Sequence, residues 1–276
     1  MSLTLSCIQS RRQLLSPVHQ AASATALCLA LLAGTMLAAQ SPEPAAAVRQ
    51  RRLGDKAYAD GMYTLAADFY RQFKAAAVDR DQRITASFLL SGALLRSGNA
   101  RETRAELDEL SEYCRQELAD QPELRQRLAC RRAELNLLEG DAAAAAVLLE
   151  NLLPELSPQA ELRRHVLDLL GISQVRRQLW DQAEQTYAQL ETESAGSPEA
   201  ATARGKRLLA MTMGGKLTAV RAALGPEAAT PARERLQDNL LWCLTLVREN
   251  RIAEALALYR AVRPMAGGPD PLWHLA

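Results

Sequence analysis

The chain has 276 residues, enough for one large domain or two small ones. Its 50 Ala and 47 Leu stand against 9 Val and 4 Ile. That bias toward good helix formers excludes an all-β protein and disfavours a parallel α/β sheet. Lys and Arg total 33 and Asp and Glu 32, with 48% hydrophobic residues. The apolar fraction excludes a disordered chain, and without a basic surplus nucleic acid and acidic membrane surfaces are disfavoured partners.

Residues 1–40 contain no acid; they carry Arg11-Arg12 and then an uncharged stretch centred on Ala21–Ala39. A basic n-region, an apolar h-region and small residues near Leu37-Ala38-Ala39 predict a signal peptide. The stretch is also long enough to serve as a single uncleaved anchor. Ser10-Arg11-Arg12-Gln13-Leu14-Leu15 resembles the twin-arginine export signal without its aromatic and lysine. As a general secretory signal, the closer fit, or as a twin-arginine one, the segment predicts an exported protein of the periplasm or cell envelope. Without Arg11 and Arg12, 31 basic residues face 32 acidic ones, a formal charge of −1.

From residue 41 to 263 the chain repeats itself. Residues 53–73 read LGDKAYADGMYTLAADFYRQF and residues 170–190 read LGISQVRRQLWDQAEQTYAQL. Leu53, Gly54, Tyr63, Ala66 and Tyr70 match Leu170, Gly171, Trp180, Ala183 and Tyr187 at one constant shift. Trp242, Cys243, Ile252, Ala255 and Tyr259 fill the same places further on, and looser copies pass through Gly98, Gly140 and Gly214-Gly215. Small residues at Gly54 and Gly171 predict close helix approach. Gly61, Gly98 and Gly140 predict left-handed turns between two helices. Gln121-Pro122, Ser157-Pro158, Ser197-Pro198 and Thr230-Pro231 fall between the units, where proline starts a helix. Residues 264–276 form a Gly/Pro-rich tail.

A Leu-Gly pair, a Gly-x-Tyr turn and then Ala and Tyr at +3 and +7 resemble the tetratricopeptide repeat. The resemblance implies an all-α fold, a right-handed superhelix of about six antiparallel helix pairs. The spacings here are longer than the usual 34 or so residues. It also implies a groove lined by the first helix of each pair, which binds a protein or peptide. Position by position, the groove residues are Arg51, Asp55, Tyr58, Arg96, Arg131, Glu134, Asp168, Arg176 and Arg248. Arginines outnumber acids five to three among them, so an acidic or carboxylate-bearing segment is the expected ligand.

No catalytic, cofactor or metal site is expected. None of His19, His165 and His274 has a second His or Cys at ligand spacing, and no P-loop, dinucleotide fingerprint or nucleophile elbow occurs. With a turn at Pro122, Cys114 and Cys130 would lie level on facing helices, either as a disulfide or as two buried thiols. The functional expectation is a non-enzymatic scaffold or adaptor in cell-envelope assembly, without a small-molecule substrate, touching membrane only through its amino-terminal segment. The alternative is the non-catalytic repeat region of a longer enzyme or multidomain protein.

Overall fold

The computed structural model describes residues 43–115, 120–157 and 160–266. The expected signal segment, most of the tail, Cys7, Cys28, Pro158, His19 and His274 lie outside the described residues. Among those described there are twelve α-helices and no strand, as the Ala/Leu bias predicts.

The helices form six consecutive pairs. They are α1 (Glu43–Ala59) with α2 (Tyr63–Ala76), α3 (Arg80–Arg96) with α4 (Ala100–Tyr113), and α5 (Pro122–Leu138) with α6 (Ala142–Leu152). Then follow α7 (Glu161–Arg176) with α8 (Trp180–Glu193), α9 (Pro198–Met213) with α10 (Leu217–Leu224), and α11 (Leu236–Arg248) with α12 (Ile252–Val262). Each helix packs on the next, and first helices also touch one another directly, α3 with α5, α5 with α7 and α9 with α11. The result is a stack of units in the manner of a tetratricopeptide solenoid. No helix among the described residues is long and apolar enough to cross a membrane.

One turn recurs in all six units. A residue with positive φ follows each first helix: Gly61, Gly98, Gly140, Gln178, Gly215 and Asn250, with φ between 59° and 87°. The next amide then reaches back to a carbonyl five residues earlier: Met62 to Ala57, Asn99 to Leu94, Asp141 to Asn136, Leu179 to Gln174, Lys216 to Met211 and Arg251 to Leu246, at 2.8–3.0 Å. This hydrogen bond satisfies a carbonyl that the helix end would leave unpaired. The side chains of Asp79, Asn99 and Asp141 cap the starts of α3, α4 and α6 by accepting from Gln82, Glu102 and Ala144 amides.

Between helices the packing follows the repeated small residues. Ala66, Ala145 and Ala183 are fully buried and Ala255 nearly so. A Cβ on Gly54 would lie 2.5 Å from Tyr70 Cε1, and one on Gly171 2.5 Å from Tyr187 Cε1. Each glycine therefore seats the tyrosine ring of its own pair. The same rings reach the following unit: Tyr70 packs with Leu90, Ala93 and Leu94, and Tyr187 with Ala203 and Ala210. The apolar face of one pair is thus closed by the next.

The proline expectation holds at Pro122 and Pro198, which open α5 and α9. It does not hold at Pro231. There a short 3₁₀ turn (Arg233–Arg235) intervenes and α11 starts only at Leu236. Asn239 stabilises the longer crossing. Its buried amide donates to the Ala228 and Thr230 carbonyls at 2.7 and 2.9 Å, and its oxygen accepts from the Ala232 amide.

Candidate functional site

The residues expected in the groove sit on first helices, but many are tied into the scaffold. On α1, Asp55 accepts a hydrogen bond from Tyr70 Oη at 2.9 Å, while Arg51 stands 3.8 Å away. Tyr58 meets Tyr63 edge-on with ring centroids 5.2 Å apart, and Arg96 lies 5.5 Å from the Tyr63 ring. The first two units thus gather around Tyr63, with Arg51 and Arg96 exposed.

At the middle of the stack Arg131 Nη1 donates to Glu134 Oε2 at 2.6 Å, one turn along α5. Its guanidinium lies against Gly92 of α3, where a Cβ would come within 3.1 Å of Nη2. The other carboxylate oxygen of Glu134 is 2.7 Å from His165 Nε2 on α7. Cys130, one turn before Glu134 and buried, brings its sulfur into the same group; the ligand atoms of Cys130, Glu134 and His165 all lie within 4.8 Å of one another. Hydrogen bonds with Cys130 and Glu134 push the His165 imidazole up to about 10. The Glu134 carboxyl is held below its usual range: burial opposes this, but the contacts with His165 and Arg131 outweigh it.

Beside this cluster Asp168 pairs with Lys206 of α9. A cavity of about 280 Å³ opens there, lined by His165, Asp168, Leu190, Glu199 and Lys206 among others.

Arg176 and Arg248 occupy matching places at the ends of α7 and α11. Each reaches back one unit to a carbonyl at the end of the preceding first helix, Leu137 for Arg176 and Met213 for Arg248. They clamp successive units, and each follows a valine in sequence, Val175 and Val247. Those two valines help line an apolar groove of about 610 Å³ with Trp180, Leu209, Met213, Leu244, Ile252 and Leu256. Val247, Ile252 and Leu256 are each more than two-fifths exposed. The repeat pattern marked Trp180 and Ile252 as packing positions. It did not mark the groove, because that is an opening between units rather than a residue type.

Of the two arrangements open to Cys114 and Cys130, the structure holds two buried thiols and no disulfide. Cys114 directly follows α4, which ends at Tyr113, while Cys130 lies eight residues past Pro122 in α5, about 12 Å along its axis. Cys114 packs with Leu107, Leu110 and Leu124, and Cys130 with Ala133 and Val166. No histidine has a second His or Cys at ligand spacing in sequence, but stacking sets Cys130 of the preceding unit beside His165 in space.

No protein-family model and no curated protein matches the chain. Among solved structures, the TPR2AB domain of yeast Sti1 in complex with pHSP90 is similar over 79% of this chain and 90% of that one, at 16% identity and a TM-score of 0.35.

Proposed function

We propose that the chain is a non-catalytic interaction scaffold, exported to the cell envelope, that holds an acidic-apolar segment of a partner protein. The observation that carries this reading is the groove lined by Val175 of α7, Leu209 and Met213 of α9, Leu244 and Val247 of α11, and the exposed face of α12. A contiguous apolar surface of this kind on a polar protein marks an interaction site. Charge complementarity selects the occupant. Arg248 donates to the carbonyl of Met213, which lines the groove, so a segment with a carboxylate beside its apolar side chains suits that end. Arg131 and Lys206, already paired with Glu134 and Asp168, contribute less to that preference. Export is supported by the basic and then apolar residues 1–40.

The test is site-specific photocrosslinking in cells, with the reactive group at Leu256 in the groove or at Val147, an exposed apolar residue of α6. The expected result is a discrete adduct from the Leu256 position in the envelope fraction. Its yield should fall at high salt and in Arg248→Glu. Equal adducts from both positions, or a cytoplasmic product only, would refute the reading.

A further inference from the structure

We propose that Cys130, Glu134 and His165 form a binding site for a borderline-soft divalent cation of the zinc class, joining the third and fourth helix pairs. Cys130 and Glu134 lie one turn apart on α5 and His165 comes from α7. Their ligand atoms are mutually within 4.8 Å, with His165 Nε2 and Glu134 Oε1 at 2.7 Å. Tetrahedral zinc bonds of about 2.0–2.3 Å place ligand atoms about 3.3–3.6 Å apart. The Glu134–His165 pair is closer than that range and no pair exceeds 4.8 Å, so side-chain rotations on fixed helices create the site.

The donor set also fits. Thiolate, imidazole and carboxylate together select zinc-like ions over magnesium or calcium, which want oxygen alone. One thiolate and one carboxylate neutralise the dication, and the ion displaces whatever protons the thiol and imidazole hold into solvent.

The neighbouring cation is accommodated. Arg131 engages Glu134 Oε2 and leaves Oε1 for the metal. After binding, the guanidinium acts as an outer partner that orients the ligating carboxylate. Cys130 lies in the interior, whereas the His165 side chain is 46% exposed. A fourth position on the histidine side is therefore open to water or to a donor from a partner.

The site is tested by titrating the reduced full-length protein with Co²⁺ alone and recording its absorption. One equivalent is expected to give intense tetrahedral visible bands and a thiolate-to-cobalt charge-transfer band, both erased by Zn²⁺. Cys130→Ser should remove the charge-transfer band although Cys7, Cys28, Cys114 and Cys243 remain. His165→Ala, a change at an exposed side chain, should weaken binding at least tenfold with helicity unchanged. Zn²⁺ should raise the thermal midpoint of the wild type and not of His165→Ala. Absence of a charge-transfer band, its persistence in Cys130→Ser, or equal affinity in His165→Ala would overturn the assignment. None of these outcomes depends on the apolar groove.

Discussion

Gly171→Ala probes the contact that seats one helix of a pair on the other. On an exposed helix this change would stabilise by about 1 kcal/mol, since alanine is the better helix former. Here the added Cβ would meet Tyr187 Cε1 and Cζ, both at 2.5 Å. The ring has no free direction in which to retreat: Tyr187 is 3% exposed and packed among Leu167, Ala183, Leu190, Ala203 and Ala210. Forcing a methyl into such a site costs about 1–3 kcal/mol, which cancels or exceeds the helix gain. In a Tyr187→Leu background the obstructing ring atoms are gone, and the same substitution should recover its stabilisation of about 1 kcal/mol. The double-mutant cycle should therefore give a coupling of about 1–3 kcal/mol, read from urea unfolding followed by far-ultraviolet circular dichroism. If Gly171→Ala has the same effect in both backgrounds, the tyrosine does not demand the glycine.

Three further outcomes follow from the same geometry. Gln178 holds φ 59° where four other units have glycine, so Gln178→Gly should raise stability by about 0.5–1 kcal/mol, and Asn250→Gly by less because asparagine tolerates this region; urea midpoints check both. Arg163 places Nε 3.1 Å from both Glu193 oxygens and Nη1 2.8 Å from the Leu153 carbonyl, and both side chains are about 15% exposed. Arg163→Ala should cost about 3 kcal/mol by stranding Glu193, and Arg163→Met/Glu193→Met should recover most of it in the same assay. Burial raises the Tyr70 phenol above its ordinary value, helped by the bond to Asp55, and burial with the Asp168 charge raises Tyr187. The folded state keeps these protons after the unfolded chain has lost them, so their contribution is full below about pH 10 and declines as pH rises above it. Absorbance at the phenolate band should show both tyrosines ionising only with unfolding, and Tyr187→Phe should flatten the alkaline loss of stability; early ionisation in the folded state would contradict this.

The fold was legible because one local rule is written six times. Gly61, Gly98 and Gly140 announce the left-handed turn, and Gly54 and Gly171 announce the ring pocket. Where the rule is carried by Gln178 or Asn250, residue type conceals it, and only the reach-back hydrogen bonds reveal the shared turn. Loops were harder to read for the same reason. Pro231 carries the helix-start signal of Pro122 and Pro198, but Asn239 stabilises an added 3₁₀ segment through bonds that no local pattern encodes.

The candidate site was concealed by a different mechanism. The expected groove residues all sit on first helices, yet charge type does not say which guanidinium the scaffold uses up. Arg176 and Arg248 are spent partly on the carbonyls of Leu137 and Met213 because each unit must close the helix end of the one before it. The same stacking set Cys130 and His165 side by side, although metal-ligand spacing is ordinarily sought within a single helix or loop. In a solenoid the relevant spacing is one unit, and its length varies with every linker. A donor pair bridging two units therefore has no fixed sequence signature. It emerges only when α5 and α7 are brought into contact, which is where Glu134, one turn from Cys130, meets His165.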